Sequence, residues 1–115
     1  MTGSLTAILR NASGAARRLR LSRLLVVEGP DRGKELSIDR ERVTVGRSKI
    51  CDLELSDQAV SGSHFEIEAL ERGFLLRDLD STNGTFLDGT RVSLPTPVPV
   101  GSTVTIGTTS FELRR

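Results

Sequence analysis

From Arg23 onward, apolar residues stand in short runs or at every second position, and turn residues separate the runs. Residues 24–27, 34–38, 42–45, 53–55, 64–68, 73–77, 85–87, 103–106 and 110–113 each fit a strand: a period of two turns one face of an extended segment to a core and the other to water. Between them lie Gly29-Pro30-Asp31-Arg32-Gly33, Asn83-Gly84, Asp88-Gly89 and the prolines at 95, 97 and 99. These residues favour turns, because glycine reaches positive φ without steric cost and proline presets φ. No helical period separates the strands, so the pattern predicts an all-β antiparallel sandwich.

Ahead of this region the period changes. Leu5, Ile8, Leu9, Ala12, Ala16 and Leu19 recur at spacings of three and four, the pattern of an amphipathic helix interrupted at Gly14. The chain therefore divides into a flexible or partly helical extension, residues 1–22, and one domain, residues 23–115. At 115 residues it has room for one core.

Charge sharpens the division. Sixteen basic residues against fifteen acidic ones leave a net +1, which names no partner. Read by position, Arg10, Arg17, Arg18, Arg20 and Arg23 all precede the first acidic residue, Glu28, while the other eleven basic residues face all fifteen acidic ones. The extension is basic and the domain is acidic.

Composition excludes several functions. One cysteine, Cys51, forms no internal disulfide, and one histidine, His64, leaves too few ligands for a zinc site, so no metal is expected. Neither a Walker loop nor a dinucleotide fingerprint is present, so no cofactor is expected. No apolar run approaches the roughly eighteen residues of a membrane span, and the chain reads as soluble and cytoplasmic. Trp and Tyr are absent, which leaves little to stack on bases, and no specific nucleic-acid contact is expected of the domain. Ser61-x-x-His64 lacks a nucleophile elbow and an oxyanion loop, so the chain reads as a non-enzyme. Cys51, beside the carboxylate of Asp52, reads as packing or incidental.

Two connections stay polar, residues 46–63 and 78–85. The first opens Gly46-Arg47-Ser48 and closes Ser61-Gly62-Ser63-His64; the second holds Ser81-Thr82-Asn83-Gly84-Thr85. Together they offer a guanidinium fork, hydroxyls, a carboxamide and glycine amides, a donor set suited to a phosphate dianion and to the main chain of an extended peptide.

Gly46-Arg47, Ser61-x-x-His64 and Thr82-Asn83-Gly84-Thr85-Phe86, in this order and with Asp52-Leu53-x-Leu55 and Val60 between them, resemble the signature of the forkhead-associated (FHA) domain over residues 23–114. The resemblance implies an eleven-stranded sandwich that binds phosphothreonine peptides and has no catalytic activity. It implies that Arg47 binds the phosphate or the adjoining backbone, that Ser61 donates its hydroxyl and amide, that Thr82 contacts the phosphothreonine, and that Asn83 holds the peptide main chain. Ser48, Lys49 and the amide of Gly62 join this set, while Gly46, His64 and Gly84 are architectural. One departure stands out: the family usually carries Arg or Asn at the position of Gly62.

The wording of residues 26–33 and 76–86 is similar to bacterial FHA domains of sigma-54-dependent transcription activators and of serine/threonine kinase signalling. Three further readings stay open. The Gly62 departure admits a phosphate-independent interaction or assembly scaffold. The arginines of the extension admit a nucleic-acid or membrane contact. Thr2 and Thr6, each with a leucine three residues on, admit self-association through a phosphorylated tail.

Overall fold

The structure, a computed structural model, describes residues 22–115. The helical period of the extension, Thr2 and Thr6 lie outside the described residues.

The alternation becomes eleven strands: β1 (Arg23–Glu28), β2 (Glu35–Ser37), β3 (Arg42–Gly46), β4 (Leu53–Glu54), β5 (Phe65–Leu70), β6 (Gly73–Asp78), β7 (Phe86–Leu87), β8 (Thr90–Arg91), β9 (Thr96–Pro97), β10 (Thr103–Ile106) and β11 (Thr109–Arg114). They form a six-stranded sheet, β2-β1-β11-β10-β7-β8, and a five-stranded sheet, β4-β3-β5-β6-β9. The inward positions of both sheets make one core. Leu24, Val26, Val104, Ile106, Phe111 and Leu113 meet Val43, Val45, Phe65, Ile67, Phe74 and Leu76, all buried. Phe65 and Phe111 pack edge to face across the sheets, with ring centroids 5.4 Å apart. Fully burying such side chains stabilises the fold by roughly 1.5–3 kcal/mol each.

The sandwich has the expected eleven strands, two more than the periodicity marks. Those two, β8 (Thr90-Arg91) and β9 (Thr96-Pro97), hold no Val, Leu, Ile or Phe side chain to mark a period, and β9 runs through the proline stretch that reads as a turn. Pro97 is tolerated because β9 is an edge strand of its sheet. One pairing departs from the antiparallel pattern: β3 and β4 run parallel, Val45 beside Leu53 and Gly46 beside Glu54. Residues 47–52 carry the chain back, and Asp52 sets the register. Its Oδ2 accepts the Thr44 amide at 2.8 Å, and its own amide donates to the Thr44 hydroxyl at 3.3 Å.

Register also decides which loops meet. Val45 lies opposite Phe65, and Phe65 opposite Asp78, so the end of β3, the start of β5 and the end of β6 share one end of the sandwich. Asp57 ties this end to the other sheet. Its carboxylate accepts the Ala59 amide at 2.9 Å and, from the β10–β11 turn, the Thr108 amide and the hydroxyls of Thr108 and Thr109 at 2.7–2.9 Å. Asp31, in the β1–β2 turn, similarly takes the amide and hydroxyl of Ser56. Burial alone would raise the carboxyl of Asp57. The hydrogen bonds from Ala59, Thr109 and Thr108 outweigh it and lower the group from 3.8 to about 2.

A carboxyl depressed in the folded state stabilises the fold above its unfolded value and loses that contribution as pH falls toward the folded one. Asp57→Asn is therefore expected to lower the unfolding free energy by roughly 2 kcal/mol at neutral pH. The gap to wild type should close between pH 4 and pH 2, as read by urea unfolding across that range.

Candidate functional site

The site is assembled from the loop after β3, the segment before β5 and the loop between β6 and β7. The first two are joined through the backbone. The Arg47 and Ser48 amides donate to the Ser61 and Gly62 carbonyls, each at 3.0 Å, and the His64 amide donates to the Val45 carbonyl at 2.9 Å. Gly46 makes this approach possible, because a Cβ there would stand 2.2 Å from the Gly62 carbonyl oxygen and 3.0 Å from the Cys51 sulfur. Cys51 is buried and its thiol donates to the same Gly62 carbonyl at 3.2 Å, so of the two readings, packing or incidental, it packs the loop.

His64 joins the third segment. It is fully buried. Its Nδ1 accepts the Ser61 amide at 3.1 Å, which leaves the ring proton on Nε2 to donate to the Gly84 carbonyl at 2.9 Å. The architectural reading of His64 thus has a geometry. One expectation is corrected by it: the Ser61 amide is not available to a phosphate, because the His64 imidazole already takes its proton. The Ser61 hydroxyl stays available. Its Oγ accepts the Thr82 amide at 2.9 Å, and its own proton remains to be donated.

The 78–85 loop is ordered from below by Asp78, whose carboxylate accepts the Ser81 hydroxyl and amide at 2.5 and 3.1 Å and the Thr85 hydroxyl at 2.6 Å. Burial would raise this carboxyl; the hydrogen bonds from Ser81 and Thr85 outweigh it and hold it below the ordinary aspartate value. Gly84 closes the loop in a left-handed conformation, φ +91°, with its amide on the Ser81 hydroxyl at 3.0 Å.

Around this frame lie the predicted binding residues. The exposed Arg47 donates from Nε to the Val60 carbonyl at 2.8 Å, and Nη1 lies 3.5 Å from the Gln58 side chain. Asn83 is exposed and donates from Nδ2 to the Ala59 carbonyl at 2.9 Å, leaving its Oδ1 for other donors. Thr82 and Lys49 are exposed, and their side chains make no hydrogen bond or ion pair among the described residues. Ser48 is half-buried, its hydroxyl accepting the Ile50 amide at 3.3 Å. Gly62 is exposed, and a Cβ there would meet nothing within 4 Å, so the rim has room for the side chain that is absent. Asp88-Gly89 is the β7–β8 turn, with φ +47° and +87°, and is structural as expected.

Sequence reasoning did not single out Asp57 or Asp78 as supports. For Asp78 a signal existed, since Asp-x-x-Ser is a spacing at which a carboxylate caps a turn. For Asp57 none did, because its donors Thr108 and Thr109 lie 51 and 52 residues away. No group of metal ligands occurs among the described residues, and no helix there is long and apolar enough to cross a membrane.

Residues 25–115 match the family model described as the cytoplasmic domain of the inner membrane component of T3SS. The FHA domain-containing protein FhaB of Mycobacterium tuberculosis is 37% identical over 102 residues, covering 88% of this chain; the match spans 66% of that relative's length. Among solved structures, the FHA domain of the CT664 protein from Chlamydia trachomatis superposes with a TM-score of 0.78 at 28% identity, covering 83% of this chain and 97% of that one. A domain solved in a study of phosphothreonine-dependent FHA interactions superposes with a TM-score of 0.74 at 25% identity, covering 83% and 96%.

The two glycines of the first loop should behave oppositely. Gly46→Ala is expected to cost about 2 kcal/mol of stability through the clash with the Gly62 carbonyl. Gly62→Ala should stay within about 0.5 kcal/mol of wild type. Chemical denaturation of both variants measures the contrast.

Proposed function

The chain belongs to the forkhead-associated (FHA) domain family, and from this premise we propose that it is a phosphothreonine-peptide-binding module built on the loops around Ser61. Domains of this family bind phosphothreonine peptides in signalling. The observation that carries the reading is the Ser61–Thr82 hydrogen bond. It joins the two donor-bearing loops and leaves the hydroxyl protons of both residues for an anion.

In this reading the Arg47 guanidinium, the Lys49 ammonium and the Ser61 and Thr82 hydroxyls surround the phosphate, with the Gly62 amide beside them. Asn83 Oδ1 accepts from the peptide main chain, while its Nδ2 stays on Ala59. Ser48 joins the donors around the phosphate, since its Oγ accepts the Ile50 amide and keeps its own proton to donate. Gly46, His64 and Gly84 hold the loops. The reaction is binding, with no catalysis and no cofactor.

The partner is a phosphothreonine protein, such as a serine/threonine kinase or its substrate, met in the cytoplasm. We place the module as a regulatory part of a bacterial kinase pathway or of a sigma-54-dependent activator, on the wording of residues 26–33 and 76–86. The domain is taken as 23–115, with residues 1–22 a basic extension whose Thr2 and Thr6 offer a route to self-association. A second reading, a phosphate-independent scaffold, is favoured by two observations: Gly62 brings no side chain to the rim, and the Nε of Arg47 is engaged by Val60.

Titration with matched phosphorylated and unphosphorylated threonine peptides separates the two readings. Binding near micromolar, about −8 kcal/mol, by the phosphorylated set alone supports the module. Equal weak binding of both sets supports the scaffold. Arg47→Ala should weaken phosphopeptide binding by about 2 kcal/mol. Gly62→Arg, at an exposed position where a Cβ meets nothing within 4 Å, should instead tighten it by about 1 kcal/mol.

A further inference from the structure

We infer that Arg91 forms a second anion-recognising position on the rim of this site, selecting ligands that carry a carboxylate or another phosphate near the phosphothreonine. The inference rests on the phosphopeptide reading above. Nothing in the sequence pattern points to Arg91, which sits in the two-residue strand β8, thirteen residues past the end of β6.

The turn at Asp88-Gly89, with both residues at positive φ, folds β8 directly back on β7, so Arg91 lies opposite Phe86 and Leu87 opposite Thr90. The Val92 amide extends the pairing to the Thr85 carbonyl at 2.8 Å, which brings the strand alongside the segment that follows Asn83. There the Arg91 side chain lies over Gly84. The point where a Cβ of residue 84 would stand is 3.1 Å from Cζ, 3.2 Å from Nε and 3.3 Å from Nη2. Three guanidinium atoms at nearly equal distance mean that the plane presents its face to the glycine, with the N–H donors around its edge. Gly84 thus takes a left-handed backbone and leaves the guanidinium room to lie close against it.

The charge of Arg91 is uncompensated. Arg23, Arg40, Arg42, Arg77 and Arg114 each pair with a carboxylate, whereas Arg91 is exposed and makes no ion pair or hydrogen bond among the described residues. The buried Asp57 and the half-buried Asp78 have their oxygens occupied by Ala59, Thr108, Thr109, Ser81 and Thr85. A guanidinium held by one face on a rigid loop keeps its fork of donors oriented, which suits an oxyanion better than a freely rotating charge. Asn83 is the next residue along from Gly84, so a peptide whose main chain runs by Asn83 passes Arg91 with a side chain to offer. Arg91 thus supplies, from β8 beyond the second loop, positive charge that Gly62 does not supply from the first.

The test compares wild type, Arg91→Gln and Arg91→Glu on short phosphothreonine peptides. One parent has Gln at all flanking positions. Derivatives carry Glu, phosphoserine or Lys at one flank at a time, and each has an unphosphorylated-threonine control. Wild type should bind one or more of the Glu derivatives about three- to tenfold tighter than the parent, and Arg91→Gln should lose that preference while still binding the parent. Arg91→Glu should shift preference to Lys at the same flank, which a loss of folding cannot mimic. A gain from phosphoserine larger than from Glu identifies a second phosphate as the ligand group; a gain from Glu alone identifies a carboxylate. If wild type requires phosphothreonine but prefers no acidic flank, or if Arg91→Gln keeps the preference, this inference fails and the binding module stands. If wild type ignores phosphorylation, both fail.

Discussion

A single neutral imidazole holds the two loops of the site in register. His64 is enclosed at the start of β5, accepts the Ser61 amide and donates to the Gly84 carbonyl. A buried polar ring is tolerated only when its groups are satisfied, and here each nitrogen has one partner of the matching kind. The consequence reaches both loops. The Ser61 backbone is turned so that its hydroxyl meets the Thr82 amide, and Gly84 is held where its missing side chain leaves room for Arg91. The proposed recognition surface is therefore the outer side of an arrangement whose inner side is the imidazole.

Carboxylates complete that inner side. Asp78 organises the loop that carries Thr82 and Asn83, and Asp57 fastens the segment before Ser61 to the turn between β10 and β11. Both lie at the end of the domain that we propose binds an anion, which at first sight opposes that role. Their oxygens are occupied by amides and hydroxyls of the protein, so their charge is already compensated by oriented dipoles within the frame. The acidic character of the domain and an anion-binding end are then compatible, because local donors rather than net charge decide what binds there.

The rim differs from the frame in how much of it is committed. Arg47 divides its donors among Val60, Gln58 and solvent, Asn83 keeps one side of its carboxamide on Ala59, and Gly62 brings only backbone. Residues tied back in this way lose little freedom on meeting a ligand, which favours binding by few contacts. The same economy leaves selectivity to whichever charged side chains remain unpaired nearby, and these come from separate loops, Lys49 from the first and Arg91 beyond the second.

Period-two alternation, turn glycines and the donor inventory are local properties of the chain. They were enough to read the sandwich, most of its strands, the Asp88-Gly89 hairpin and the two loops that carry Arg47, Ser61, Thr82 and Asn83. Residues separated widely in sequence met only when the sheets closed. The parallel seat of β4, the capture of the Ser61 amide by His64, the anchoring of Asp57 by Thr108 and Thr109, and the stacking of Arg91 on Gly84 all belong to this second class. A donor or acceptor is visible in sequence, but its partner is set by strand register and sheet packing. Tertiary structure therefore decided which of the candidate groups are spent on the fold and which remain for a ligand.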